Sequence, residues 1–202
     1  MSEINRRDVL RMLGVGMAAA TVSCTPDVAD KAHQSAQAAR DTATASGTAV
    51  KKKFFTGHEH ATVSMLADMI IPKDDRSGSA TDAGVPEFMD YILTEYPDGQ
   101  NSMRGGLAWL DYECERRHER RFVDCTESQR NALLDDIAFP KKARPEMSQG
   151  VAFFNRFRDF TASAFFSSKM GTEDLRYHGN TVVPVWNGCP PEALQKLGVS
   201  YT

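Results

Sequence analysis

The 202-residue chain carries 24 Lys and Arg against 27 Asp and Glu, a formal net charge of −3 at pH 7. This balance excludes the strongly basic surface typical of nucleic-acid-binding proteins, so no nucleic-acid partner is predicted. The length allows one ordinary domain with appendages, and no apolar run reaches the roughly 18 residues that a membrane-spanning helix requires.

The first 24 residues have the organisation of an export signal. Arg6 and Arg7 lie in a charged segment, and a short run rich in Met, Gly and Ala follows it up to Val22. This order is typical of a secretory signal peptide, and the paired arginines indicate the twin-arginine route. We therefore predict a signal peptide over residues 1–24 and a periplasmic location for the mature chain.

The end of the signal allows two interpretations. Residues 21–24 are similar to a lipoprotein box, which predicts that Cys24 is acylated and holds the protein at a membrane surface. The small residues 18–20 instead fit an ordinary signal peptidase, which would release a soluble protein. Residues 25–53 are rich in Ala, Ser, Thr and Gln, which predicts a linker, flexible or weakly helical, between this signal and the domain.

A helical domain is predicted over residues 54–202. Thr56 and Thr126 each begin a capping box, a typical helix start, and another helix is expected over about 102–122. The most regular amphipathic spacing in the chain, i, i+3, i+4, i+7 and i+8, belongs to Val85, Phe88, Met89, Ile92 and Leu93. No segment alternates as a strand does, so we predict an all-α fold, a small irregular bundle of about five helices.

The last of these helices is unusually rich in phenylalanine. Residues 151–166 contain six of the eleven phenylalanines, and at helical spacing these lie on two faces. Residues 171–201, the C-terminal arm, are irregular apart from a helical turn or two at 191–197. A two-faced apolar helix and an irregular arm predict packing against another protein, with these residues at the interface: Phe153, Phe157, Phe160, Tyr177, Asn180 and Trp186.

The cysteines give no metal or haem signature. Besides Cys24, the chain has Cys114, Cys125 and Cys189, without a C-x-x-C pair. If one helix ran through Cys114 and Cys125, they would lie about 16 Å apart along its axis, too far for a disulfide. A bridge therefore requires the helix to end before Cys125, or Cys189 as the partner, and the sequence leaves the pairing open.

Several segments, in this order, resemble a known family. They include LADMIIP at 66–72, AGVPEFMD at 83–90 and GCPP at 188–191. Together with the arginine signal they are similar to the small (gamma) subunit of membrane-associated FAD-dependent sugar dehydrogenases, the gluconate 2-dehydrogenase subunit 3 family.

The resemblance implies a subunit without chemistry or cofactor of its own. In this family a large flavoprotein of the glucose–methanol–choline type holds the FAD and oxidises the sugar, and the electrons leave through a cytochrome c. The small subunit packs against the flavoprotein, supports its folding and provides the export signal for both. The expected partner is therefore the large FAD-binding dehydrogenase subunit, and a cytochrome c is reached indirectly.

Two other classes stay open at this stage. The chain could be a structural periplasmic lipoprotein unrelated to redox chemistry. It could also be a stand-alone periplasmic enzyme that uses Asp174, His178 and Cys189, because a Cys–His pair can make a nucleophile.

Overall fold

The structure of this chain is a computed structural model, and it describes residues 25–177, 179, 184–185 and 188–201. Every regular element in this part of the chain is helical, which confirms the predicted all-α class. Eight α-helices are described: α1 (Pro26–Ser46), α2 (Gly57–Ile70), α3 (Val85–Glu95), α4 (Gln100–His118), α5 (Glu127–Ala138), α6 (Ser148–Phe166), α7 (Lys169–Asp174) and α8 (Pro191–Leu197). Single 3-10 turns lie at Pro97–Gly99, Phe122–Asp124 and Pro145–Met147.

Helices α3 and α6 form the centre of the bundle. Helix α3 packs against α1, α2 and α6, and α6 also packs against α4, α5 and α7. The amphipathic spacing of α3 places its apolar side chains on the buried side, where Val85, Phe88 and Met89 are fully enclosed. Both predicted capping boxes are present, at Thr56 with Glu59 and at Thr126 with Gln129.

Helix α1 corrects the prediction of a linker over residues 25–53. Residues 26–46 form a helix that packs against α3 through the buried side chains of Ala29, Ala32 and Ala36. Alanines allow two helix backbones to approach closely, but they bury little apolar area each. The three alanines therefore have the spacing of a packed helix face, but their apolar character is too weak for the sequence to reveal that face.

Two polar residues hold α1 to the domain. The His33 ring lies 4.5 Å from the ring of Phe88, and its Nε2 is 2.9 Å from Ser167 Oγ. The Arg40 guanidinium donates to the backbone carbonyl of Asp82 at 2.8 Å. Helix α1 is thus an integral layer of the domain.

The chain that enters α2 is anchored by one buried carboxylate. Asp90 accepts backbone N–H bonds from Lys53 at 2.8 Å, Phe54 at 3.0 Å and Phe55 at 2.9 Å. Arg104 lies over the ring of Phe54, 4.6 Å from its centroid. Residue 53, like helix α1, is therefore part of the ordered domain.

Helix α4 ends earlier than residue 122, the end expected from the sequence. It stops at His118, and Glu119 adopts a left-handed conformation with φ 58° that turns the chain. The Asp111 carboxylate then accepts a hydrogen bond from the backbone N–H of Phe122 at 3.0 Å, and its other oxygen lies 2.5 Å from His58 Nε2. The connector after α4 therefore runs back along that helix.

None of the described helices combines the length and the apolar character that crossing a membrane demands.

Candidate partner interface

The phenylalanines of α6 belong mainly to the domain's own core. Among the six, all within the described residues, the buried ones are Phe153, Phe154, Phe157 and Phe165. Phe160 is partly exposed, and Phe166 is exposed by 39 %. The prediction that this helix offers Phe153 and Phe157 to another protein is therefore wrong. Neighbouring helices cover both of its faces, so no second protein is needed to bury them.

Two glycines explain how the bundle accommodates such large rings. A Cβ at Gly106 of α4 would lie 1.8 Å from Cδ2 of Phe153, so that ring occupies the space where a side chain would be. At Gly150 of α6 a Cβ would lie 2.2 Å from the ring of Trp109. The glycines thus let α4 and α6 approach face to face. A helical pattern alone does not show which glycine faces which ring.

The remaining predicted interface residues have different positions. Phe160 packs edge-to-face on Phe88, with ring centroids 6.2 Å apart, and keeps part of its surface accessible. Tyr177 is 70 % exposed. Asn180 and Trp186 lie outside the described residues, as do Arg6, Arg7 and Cys24.

Residues 188–201, which we call the terminal loop, fold onto themselves. The backbone N–H of Cys189 donates to the hydroxyl of Tyr201 at 2.5 Å. Gly188, at φ 86°, lies against the Tyr201 ring, where a Cβ would approach within 2.8 Å. Helix α8 spans the interval and ends at Gly198, whose left-handed φ of 67° closes the helix. The contacts of Tyr201 with Gly188 and Cys189 therefore join the two ends of the terminal loop.

The terminal loop presents apolar side chains to solvent. Within it, no residue of α8 is buried, and Leu197 is 71 % exposed. Val199 and Tyr201 are also exposed, and so are Leu175 and Tyr177 after α7. Large apolar groups surrounded by polar ones are typical of protein–protein contact sites. Sequence reasoning missed Leu197 and Val199; the signal was an apolar pair on either side of the helix-ending Gly198.

Of the three residues of the enzyme alternative, the structure describes Asp174 and Cys189. Asp174 pairs with Arg76, with 2.9 Å between the carboxylate and the guanidinium, and Arg76 also donates to the backbone carbonyl of Asp174. Cys189 is exposed on the terminal loop. His178 lies outside the described residues. Asp174 is therefore engaged in holding α7 to the loop before α3.

The charged cluster near the end of α4 is structural. The buried Glu113 accepts from Arg116 at 2.8 Å and from Arg117 at 3.2 Å, and Arg117 also reaches Asp136 of α5 at 2.8 Å. The hydrogen bond from Arg116, followed by its charge and by Arg117, lowers the pKa of Glu113 despite burial. The carboxylate stays ionised and holds Arg117, which links α4 to α5 through Asp136.

The concave features are small or open. A cavity of about 30 Å³ beside His60, Glu87 and Asp90 has room for a single water. A wide surface groove lies between α2 and α5, lined in part by Met65 and Met69. In the described ranges, no group of three or more His, Cys, Asp or Glu side chains is placed to hold a metal ion.

The described part of the chain is an all-α domain whose terminal loop exposes Leu197, Val199 and Tyr201. The family model described as gluconate 2-dehydrogenase subunit 3 matches residues 57–184, more than half of the chain. The chain belongs to the gluconate 2-dehydrogenase subunit 3 family. The name of the family describes one subunit of a dehydrogenase. Helix α1 and the terminal loop lie outside the matched residues. Comparisons with curated proteins and with solved structures returned no match.

Proposed function

We propose that this chain is the non-catalytic small subunit of a periplasmic FAD-dependent sugar or glycoside dehydrogenase complex. The observation that carries the proposal is the family match over residues 57–184. The large partner, a flavoprotein of the glucose–methanol–choline type, holds the FAD and the sugar site. This chain binds and stabilises that partner, and electrons pass on from the complex to a cytochrome c.

The contact with the flavoprotein is proposed to involve the exposed apolar groups that follow α7. Tyr177 and Leu197 are 70 % and 71 % exposed, so burying them against a partner would remove substantial apolar area from water. Phe160 contributes its accessible edge. Asn180 and Trp186 remain predicted members of this surface. Phe153 and Phe157 are no longer part of it, because the chain's own core covers them.

Export of the complex is proposed to depend on Arg6 and Arg7. The twin-arginine route carries proteins already folded, so one signal can serve two subunits. Changing both arginines to lysine is expected to leave this chain and the flavoprotein in the cytoplasm. Fractionation followed by immunoblotting measures the outcome. A flavoprotein that still reaches the periplasm would show that it has its own route.

Membrane attachment is proposed to come from acylation of Cys24. Mass spectrometry of the mature N-terminus is expected to find Cys24 as the first residue with acyl chains attached. A mature chain that begins near residue 21 and has an unmodified Cys24 would remove the anchor.

The experiment that tests the function is purification of the affinity-tagged full chain from its native cells. We expect a large protein to co-elute with the absorption spectrum of FAD and with sugar-dependent reduction of an artificial electron acceptor. A chain that elutes alone and inactive would favour the structural-lipoprotein alternative. Activity from this chain without a flavoprotein would favour the enzyme alternative.

A further inference from the structure

The connector after α4 brings two buried cysteines together. Cys114 lies in the last part of α4, and Cys125 directly follows the 3-10 turn Phe122–Asp124. Both side chains are buried in the same hydrophobic core, at 0 % and 4 % exposure, and the Cys125 thiol is close enough to raise the pKa of Cys114. The condition for a bridge, a helix that ends before Cys125, is met at His118.

The backbone explains why the two thiols meet. Asp111 and Cys114 are three residues apart, so they share one face of α4. Phe122 and Cys125 are also three residues apart, across a 3-10 turn in which such positions eclipse one another. The Phe122 N–H donates a hydrogen bond to Asp111, and this bond joins the turn to α4. It therefore holds the turn that precedes Cys125 against the face of α4 that carries Cys114.

We propose that Cys114 and Cys125 are an oxidation site that forms an intrachain disulfide when the folded domain meets a disulfide oxidant. The oxidant is a small-molecule or protein disulfide. A thiolate of Cys125 attacks one sulfur of that disulfide and releases the first thiolate. Cys114 then attacks the mixed disulfide and releases the second. Two cysteine thiols lose two protons and two electrons, and one external disulfide becomes two thiols.

The position of Cys125 on the connector after α4 indicates that this thiol reacts first. Burial, followed by the interaction with Cys125, raises the pKa of the Cys114 thiol to about 12, so Cys114 is protonated in the reduced protein and reacts second, losing its proton as it attacks the mixed disulfide. Cys125 lies on a connector of a single 3-10 turn and makes a weak contact with the Arg120 carbonyl at 3.9 Å. A short opening of this connector is enough to expose it. The disulfide would then lock the connector onto α4.

The test uses the full chain, reduced and then treated with oxidised glutathione. After blocking of remaining thiols with N-ethylmaleimide under denaturing conditions, trypsin separates the two cysteines, because Arg116, Arg117, Arg120 and Arg121 lie between them. We expect a linked pair of peptides, 105–116 with 122–130, and a label on Cys189. A bridge that includes Cys189 would overturn the proposal, and so would two labelled peptides found both here and after refolding in a glutathione redox buffer.

Two further measurements separate slow access from a wrong geometry. Refolding of the urea-unfolded, reduced chain in a glutathione redox buffer gives both thiols access to the oxidant. If the linked pair is still missing there, the proposal fails. In thermal melts, reductant is expected to lower the Tm of the oxidised wild type by about 6–12 °C, as for a loop of about a dozen residues in a domain of this size. The matched control Cys189→Ser should show the same drop, and Cys125→Ala should show none.

Discussion

The packing of α6 against α4 makes a sharp prediction about two adjacent glycines. Gly105 and Gly106 both lie within α4, but only Gly106 faces the ring of Phe153. A Cβ on Gly105 would meet nothing within 4 Å, whereas one on Gly106 would lie 1.8 Å from Phe153 Cδ2 and 2.2 Å from its Cγ. Gly105→Ala and Gly106→Ala are therefore chemically identical changes with opposite expected effects.

The magnitudes follow from two opposing terms. Alanine stabilises a helix interior over glycine by about 0.5–1 kcal/mol, and Gly105→Ala should gain that amount. In Gly106→Ala the buried ring of Phe153, itself packed 5.7 Å from the ring of Phe157, must move by more than 1 Å to restore normal contact distances. We expect a net loss of about 2 kcal/mol, or a Tm lower by about 4–8 °C.

Urea and thermal unfolding of the full chain, followed by circular dichroism, measure both variants. The expected order of stability is Gly105→Ala, wild type, Gly106→Ala, with about 3 kcal/mol between the extremes. If Gly106→Ala is as stable as Gly105→Ala, then Phe153 does not occupy the surface of α4. That result would support the prediction from sequence that α6 presents the ring of Phe153 to another protein.

Further predictions concern the anchored entry segment and helix α1. Asp90→Asn leaves at least one of three backbone N–H donors without a good acceptor, so the free energy of unfolding should fall by about 2–3 kcal/mol. At least one of the amides of Lys53, Phe54 and Phe55 should then lose hydrogen-exchange protection; unchanged protection at all three would exclude an anchoring role for Asp90. Burial lowers the pKa of His33, against a weaker opposing effect of Asp30, so folding favours the neutral ring. Stability should therefore fall as the pH drops below about 6.5, the unfolded value, and His33→Gln should flatten this loss in urea titrations at pH 7.5 and 5.5. An equal loss in the variant would assign the effect to other groups.

The parts of the fold that sequence could predict are those that depend on local chemistry. Each capping box, at Thr56 and at Thr126, is defined by a stretch of four residues. The apolar residues of α3 recur at a strict helical spacing. The class of fold and the family resemblance follow from such segments in order.

The parts that sequence missed depend on what lies opposite a residue in space. The alanine stripe of α1 has no hydrophobic signal, and only the presence of α3 makes it a packed face. The phenylalanines of α6 looked excessive because Gly106, which makes room for the ring of Phe153, is distant from it in sequence. The exposure of Leu197 was equally hidden, since a short helix with apolar residues is as consistent with a cap on the bundle as with a free surface.

The central claim, a subunit that docks onto a flavoprotein through its terminal loop, is tested most directly by affinity. The mature chain and the co-purified flavoprotein are titrated by calorimetry or surface plasmon resonance, with Leu197→Asp as the test and Tyr112→Asp as the matched control. These residues are 71 % and 60 % exposed, so neither change should shift the Tm of the subunit alone. We predict that Leu197→Asp weakens binding by about 30-fold or more, which corresponds to about 2 kcal/mol, while Tyr112→Asp binds like the wild type. Unchanged affinity for Leu197→Asp, or a loss confined to Tyr112→Asp, would contradict the account.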